Sequence, residues 1–163
     1  MENRKNMKRV SIVVLLILML IMTSCSGYRS LNARKLEKSE YDTTMLSRDI
    51  NVTVKEETVT TKTESITLMY VNTSDTEYLF GEKPHLEVEL DGTWYVVPVL
   101  KGTVWIAIGY ILPAKGSHEH SFSIRNYYGM LKPGKYRVIK EMYSGEESVF
   151  TSAQFEITDV KSK

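Results

Sequence analysis

From Asp49 onward the chain is a succession of short runs in which apolar and polar residues alternate, with turn-forming residues between the runs. Alternation with a period of two places one face of a strand against a core and the other face in water. In the two clearest runs the inward residues are Ile66, Leu68, Tyr70, Leu86, Val88 and Leu90. The pattern predicts an all-β domain of about seven or eight strands over residues 49–163, without an amphipathic helix. A two-sheet sandwich is the favoured architecture, and a small barrel is the alternative.

The clearest local signal within this region is a hairpin. Asp91-Gly92 stands between the run that ends at Leu90 and a second run over Thr93–Val97. Asp-Gly accepts the positive φ angles of a type I′ turn, which joins two antiparallel strands. Pro98 then marks an edge, a bulge or the end of the returning strand, because proline donates no ladder hydrogen bond.

The N-terminal 25 residues have a different composition. Arg4, Lys5, Lys8 and Arg9 form a basic start, and Val10–Met22 is apolar except for Ser11. A run of this length is typical of a signal-peptide helix, whereas a helix that spans a membrane needs about 20 apolar residues. The sequence therefore predicts a cleaved signal peptide over residues 1–25, with an uncleaved membrane anchor as the alternative.

The end of this segment, Ile21-Met22-Thr23-Ser24-Cys25, resembles a bacterial lipobox. The resemblance implies that Cys25 is lipidated and becomes the new N-terminus of the mature protein. Stable anchoring takes two lipid signals, which a diacylated cysteine supplies. We therefore expect an extracellular protein held on the outer face of the cell membrane. Cys25 is the single cysteine of the chain, so the mature domain has no disulfide.

Residues 26–48 are rich in charged side chains and carry few large apolar ones. This composition favours a flexible tether between the lipid and the domain. A short helix around residues 32–40 is compatible with the good helix formers there. The alternative is that the segment packs on the domain as an additional strand or helix.

The run from Leu131 to Lys140 contains Pro133-Gly134-Lys135-Tyr136 and resembles the penultimate strand of immunoglobulin-like domains. More widely, residues 66–157 resemble the bacterial immunoglobulin-like domains of secreted and lipid-anchored proteins of Gram-positive bacteria. The resemblance implies that Pro133 and Gly134 form a turn and that the hydroxyl of Tyr136 ties this corner to the backbone. It also implies that Trp94 is the core tryptophan.

The inventory of chemical groups argues against an enzyme. The sequence has no nucleophile elbow and no phosphate-cradling glycine loop, and its formal net charge of +1 gives no basic footprint for nucleic acid. His118 and His120 share one face of a predicted strand, so that with His85 they form a conceivable metal site. No established ligand spacing supports that site. We predict no catalytic residues, no metal and no cofactor, and we interpret these histidines as part of an exposed strand end.

The better functional lead is a group of aromatic residues in loops or at strand ends: Trp105, Tyr110, Tyr127 and Tyr128. Tyrosine and tryptophan are favoured in binding patches because they give a large contact area at a low entropic cost. The sequence predicts a non-catalytic binding or structural module whose partner is an unknown protein or cell-wall ligand. The alternative is a surface-anchored protease inhibitor that uses the loop Gly102–Trp105 or Tyr143–Ser148.

Overall fold

The computed structural model describes residues 27–160. The expectations for the signal segment and for lipidation of Cys25 lie outside these described residues. Among the described residues the strands are β1 (Ile50–Val54), β2 (Val59–Thr60), β3 (Ser65–Asn72), β4 (Tyr78–Gly81), β5 (His85–Leu90), β6 (Thr93–Val96), β7 (Gly109–Leu112), β8 (Ser117–Ser123), β9 (Gly134–Ser144) and β10 (Glu147–Thr158).

The strands form two sheets. The smaller is antiparallel in the order β1-β3-β8, and the larger runs β2-β10-β9-β4-β7. The hairpin β5–β6 joins the larger sheet through β5, which pairs with residues 136–139 of β9. The predicted all-β sandwich of two sheets is confirmed. The described part of the chain has ten strands rather than seven or eight, because several are only two to four residues long.

The core lies between the two sheets and follows the alternation of the sequence. Ile66, Leu68 and Tyr70 are buried on the inner face of β3. They belong to one cluster with Phe80 of β4 and Tyr136 of β9. Burying large aliphatic and aromatic side chains is the main favourable term for such a domain, about 25 cal/mol for each Å² of apolar surface removed from water.

Two turns follow directly from their sequences. Asp91 and Gly92 have φ angles of 51° and 75°, as a type I′ turn requires. The second turn joins β9 to β10, where Ser144 pairs with Glu147 and Gly145 has a φ of 61°. The candidate inhibitory loop Tyr143–Ser148 is therefore a tight hairpin rather than an extended loop.

A short helix, α1 (Ile124–Tyr128), follows β8. The side chain of Ser123 accepts a hydrogen bond from the amide of Asn126 at 3.1 Å, which caps the first turn. Gly129 ends the helix with a φ of 78°. Ile124 is the first residue of the helix, and its side chain is buried.

Residues 27–48 differ from the flexible tether that the sequence favours. The amide of Ser39 donates to the carbonyl of Trp94 at 3.0 Å, and the amide of Val96 donates to the carbonyl of Glu37 at 2.9 Å. Further along, the amide of Ser47 donates to the carbonyl of Phe150 at 2.7 Å. The segment packs on the domain because β6 and β10, which lie on opposite sides of the pair β5–β9, both offer it backbone partners. This arrangement agrees with the alternative prediction, in which the N-terminal segment packs on the domain.

Trp94 does not occupy the core between the sheets. It is half-buried on the outer face of the larger sheet, where the Arg137 guanidinium lies 4.5 Å from the centre of its ring. The expectation of a core tryptophan is therefore wrong in position, because the residue faces the layer formed by the N-terminal segment. Its ring makes a cation–π contact instead of filling the sandwich.

Pro133 and Gly134 stand at the start of β9, and Tyr136 follows them inside the strand. The hydroxyl of Tyr136 donates to the carbonyl of Lys132 at 2.9 Å. This is the geometry of a tyrosine corner, in which the side chain fixes the turn before the strand. Burial raises the pKa of Tyr136 to about 12.

We expect Tyr136→Phe to lower the free energy of unfolding by about 1–2 kcal/mol, because the carbonyl of Lys132 loses its hydrogen-bond donor. Tyr70→Phe is the matched control. The Tyr70 hydroxyl is buried without a hydrogen-bond partner among the described residues, so its removal is expected to be neutral or stabilising. Urea denaturation of both variants measures the difference. Equal losses would contradict a specific role for the corner.

Candidate functional site

Two of the four candidate aromatic residues converge on one carboxylate. The hydroxyl of Tyr110 donates to Oε2 of Glu82 at 2.7 Å, and the hydroxyl of Tyr127 lies 3.4 Å from Oε1. Trp105 joins them through its ring, whose centre is 4.2 Å from that of Tyr127. The fourth candidate, Tyr128, lies in the core, where its hydroxyl donates to the carbonyl of Pro84 at 2.8 Å. It has no exposed surface for binding.

Five segments of the chain position this group, which we call the Glu82 cluster: Glu82, Tyr110, Tyr127, His120 and Lys140. Glu82 directly follows β4, Tyr110 lies on β7, and Tyr127 on α1. His120, on β8, places Nε2 2.9 Å from Oε2 of Glu82. The ammonium group of Lys140, on β9, donates to the backbone carbonyls of Glu82 and Lys83 at 3.2 and 3.0 Å. The cluster thus links both sheets to the helix.

The charges in the cluster are set by burial and by these hydrogen bonds. Burial favours the neutral acid, but the hydrogen bonds from Tyr110 and His120 outweigh it and lower the pKa of Glu82. Burial also lowers the pKa of His120, which the hydrogen bond to Glu82 only partly opposes. The pair at neutral pH is therefore a carboxylate and a neutral imidazole that donates through Nε2. Burial lowers the pKa of Lys140 to about 8.

The hydrogen bonds of this arrangement connect structural elements of both sheets and the helix. An ionised, buried carboxylate that already accepts several hydrogen bonds is a poor proton donor and has little free capacity to accept. Its effect is to hold β7 and α1 in place. Tyr127 is the end of this network, and Trp105 packs on Tyr127. The cluster therefore supports the loop that contains Trp105.

The conceivable histidine metal site is not assembled. His120 is buried against Glu82, whereas His85 places Nε2 3.0 Å from Glu87 on β5. The described residues contain no group of three or more histidine, cysteine, aspartate or glutamate side chains arranged to hold a metal ion. His118 is half-buried, and its ring packs edge-on against Phe80.

Two apolar surfaces remain exposed near the cluster. The first, which we call the apolar loop, is Leu100–Ile108; Val104 is 84% exposed and Ile106 is 66% exposed. It contains the candidate inhibitory segment Gly102–Trp105. The second, which we call the apolar row, consists of Leu79, Ile111 and Tyr143. Leu79 of β4 pairs with Ile111 of β7 on one side and Tyr143 of β9 on the other, and all three side chains are exposed.

Of the buried polar members, Glu82 and Lys140 were not identified from the sequence, and His120 is buried rather than part of an exposed strand end. Lys140 lies in register with Tyr136, Val138 and Met142, so the alternation of β9 places it on the inner face. This alternation was the signal in the sequence that could have identified Lys140 as buried. A lysine at an inward position requires a buried polar partner, and Glu82 is the residue whose carbonyl it reaches.

The pKa shift of His120 predicts acid lability. Because its pKa is lower in the folded state, the imidazole adds stability above about pH 6.5 that is lost as the pH falls toward the folded value. We expect the free energy of unfolding to decrease from pH 7 to pH 5, by at most about 1.4 kcal/mol per pH unit from this group. Urea denaturation at several pH values measures the slope.

His120→Gln is expected to reduce this slope, since glutamine keeps a donor for Glu82 but does not titrate in this range. His118→Gln is the matched control on the same strand, and we expect it to retain the slope. An unchanged slope in His120→Gln would show that other groups cause the acid lability.

Comparison with known proteins gives one family match. A family model described as a bacterial Ig-like domain matches residues 47–156. No curated protein matches the chain. Solved structures that resemble it include the bacterial hydrophobin BslA, with a TM-score of 0.36 and 12% identity over 70% of this chain and 97% of that one. Another is PapD-like domain 7 of human CEP192, with a TM-score of 0.33 and 12% identity over 83% of this chain and 100% of that one.

Proposed function

We propose, from the premise that this chain belongs to the bacterial Ig-like domain family, that it is a non-catalytic binding module anchored to the outer face of the cell membrane. The observation that carries the binding role is the exposed apolar surface. Monomeric soluble proteins rarely leave neighbouring large apolar side chains uncovered unless something binds there. The Glu82 cluster next to it holds its supporting elements without offering a reactive group.

The anchor is the diacylated side chain of Cys25, formed after removal of the signal peptide. The lipobox-like segment that ends at Cys25 supports it, as do the basic start and the apolar run before it. No helix within residues 27–160 is long and apolar enough to cross a membrane. A thioether-linked lipid holds the domain at the bilayer without such a helix.

The test of anchoring compares the wild-type chain with Cys25→Ser. We expect the wild type in the membrane fraction and accessible to protease added to intact cells. Cys25→Ser is expected to lose lipid labelling. A wild-type protein that stays inside the cell, or that carries no lipid, would overturn the proposal.

The binding surface for a wall or membrane partner is the apolar row. It includes Ile111 of β7, a strand that pairs only with β4 among the described residues and so leaves its other edge open. An extended segment of a partner protein can add to such an edge while its side chains pack on the row. We expect Leu79→Asp to reduce the capture of a partner from wall and membrane extracts at least tenfold.

Val71→Asp is the matched control, since Val71 is an exposed aliphatic residue on the outer face of the smaller sheet. We expect it to capture as much partner as the wild type. Equal capture by both variants would place the binding surface elsewhere. The alternative function, inhibition of a protease through Gly102–Trp105, predicts instead a protease whose activity falls stoichiometrically on mixing.

A further inference from the structure

The N-terminal end of the described chain is fixed at one end of the sandwich. The backbone amide of Arg29 donates to the carbonyl of Met130 at 2.7 Å. The Arg29 guanidinium donates to the carbonyl of Tyr128 at 3.2 Å and to that of Pro98. Gly27 lies beside Met130, whose Sδ is 3.9 Å from the position of a Cβ on the glycine. The chain therefore enters the domain next to the C-terminal end of α1.

The apolar loop is attached to the same end of the same helix. The amide of Leu100 donates to the carbonyl of Tyr127 at 2.8 Å. A Cβ on Gly129 would lie 3.6 Å from the Leu100 side chain. The ring of Trp105 also packs on that of Tyr127. The loop therefore contacts α1 at two points, Leu100 and Trp105. Tyr127 and Tyr128, adjacent in sequence, thus hold the loop and Arg29 respectively.

The composition of the apolar loop is that of a segment that enters a membrane interface. Val104, Ile106 and Ile108 are exposed aliphatic side chains. Trp105 lies among them and is half-buried, and Lys101 is the single charged residue of the loop. Tryptophan is enriched at the level of lipid headgroups, and a lysine at that depth extends its ammonium group into water.

We propose that the apolar loop Leu100–Ile108 inserts into the lipid bilayer to which Cys25 is anchored, so that the domain rests on the membrane by this end. The inference rests on the lipid anchor of the proposed function. Cys25 is two residues before Gly27, so their Cα atoms are at most about 7.6 Å apart. The acyl chains therefore enter the bilayer beside the loop, which brings the exposed aliphatic side chains to the membrane surface.

Insertion fixes an orientation as well as a contact. The apolar row and the open edge of β7 belong to the larger sheet, and the loop leads directly into β7. A domain held by both the lipid and the loop cannot rotate freely about the anchor. The partner surface then keeps a constant height and direction above the membrane.

The two tryptophans provide a direct test in the lipidated, full mature chain purified from membranes. Trp94→Phe leaves Trp105 as the reporter, and Trp105→Phe leaves Trp94, which packs on Arg137. The protein is reconstituted into vesicles of phosphatidylglycerol and phosphatidylethanolamine with and without bromine on the acyl chains. We expect brominated lipid to quench Trp105 fluorescence at least twofold and to leave Trp94 nearly unchanged.

A loop variant separates insertion from anchoring. In the Trp94→Phe background, Val104→Asp with Ile106→Asp is expected to abolish the quenching while the protein still floats with the vesicles. Both side chains are exposed, so the thermal midpoint should match that of Trp94→Phe alone. Val71→Asp in the same background is the control and should retain the quenching.

Each outcome decides between the two proposals. If the wild-type chain floats with the vesicles but Trp105 is not quenched, loop insertion is overturned and the lipid anchor is supported. The loop would then be a surface that binds a protein. Quenching that persists in the double-aspartate variant also overturns insertion by this loop. Failure of the wild-type chain to float overturns the anchor and, with it, the inference that depends on it.

Discussion

Arg137→Met is expected to lower the free energy of unfolding by about 3–5 kcal/mol, because it leaves the carboxylate of Glu87 buried without its charged partner. Arg137 is 2% exposed and Glu87 is fully buried. Nε of Arg137 donates to Oε2 of Glu87 at 2.6 Å. The same guanidinium donates to the carbonyl of Tyr41 at 2.9 Å, so the variant also loosens the N-terminal segment.

A matched pair on the same two strands is the control. Lys135 of β9 and Glu89 of β5 have charged atoms 3.5 Å apart, but the lysine side chain is 68% exposed. We expect Lys135→Met to cost less than about 1 kcal/mol, because water screens the exposed pair. The double variant Arg137→Met with Glu87→Leu should recover much of the loss. Urea denaturation measures all four chains, and a loss below 1 kcal/mol in Arg137→Met would contradict the role of the buried pair.

Glu82→Leu is expected to lower the free energy of unfolding by about 3 kcal/mol. The substitution removes the carboxylate that accepts hydrogen bonds from the hydroxyl groups of Tyr110 and Tyr127 and from Nε2 of His120. Leaving the buried Nε2 of His120 without a partner costs about 1–3 kcal/mol, and the half-buried hydroxyl groups of Tyr110 and Tyr127 each lose an acceptor as well. The variant should also shift the fluorescence maximum of Trp105 to the red, because Tyr127 loses its fixed position beneath the indole ring.

Tyr110→Phe is the control for this prediction, since it removes one of the donors and leaves the carboxylate. We expect it to cost about 1 kcal/mol and to leave the emission of Trp105 unchanged. A loss in Glu82→Leu no larger than that in Tyr110→Phe would mean that the cluster does not act as a connected network.

The sandwich was predictable because its core obeys the period of two. Ile66, Leu68 and Tyr70 are buried in alternation, and Asp91-Gly92 forms the expected turn. These are local properties, because the alternation of apolar and polar residues in a strand with one solvated face determines which side chains are buried. The corner tyrosine is also local, since its hydroxyl reaches a carbonyl four residues earlier.

The buried charges were not predictable from the same rule. The alternation of β5 places Glu87 on the face that a two-layer sandwich exposes to water. That face is covered by residues 37–41, and the carboxylate is buried with Arg137. The alternation rule predicts which side chains face the core between the two sheets. It cannot predict that a segment distant in sequence covers the outer face of one sheet. Trp94, which the resemblance to immunoglobulin-like domains placed in the core, faces the same layer and contacts Arg137.

The candidate site was predicted in part. The sequence identified Trp105, Tyr110 and Tyr127 as a group, and the structure brings them together around Glu82. Tyr128 is adjacent to Tyr127 on a helical turn, so its side chain points to a different side and enters the core. The sequence identified the first part of the apolar loop, Gly102–Trp105, but not the exposure of Ile106 and Ile108, because an apolar run in a sequence is equally compatible with a buried strand.

The central proposal, that a lipid on Cys25 holds this Ig-like module at the membrane, is tested most directly by the mass of the N-terminal peptide of the protein purified from membranes. We expect a peptide that begins at Cys25 and carries a diacylglyceryl group, with fragment ions that place the group on Cys25. Cys25→Ser should show no lipid mass. A wild-type protein that begins at Met1, or is cleaved elsewhere and carries no lipid, would contradict the account.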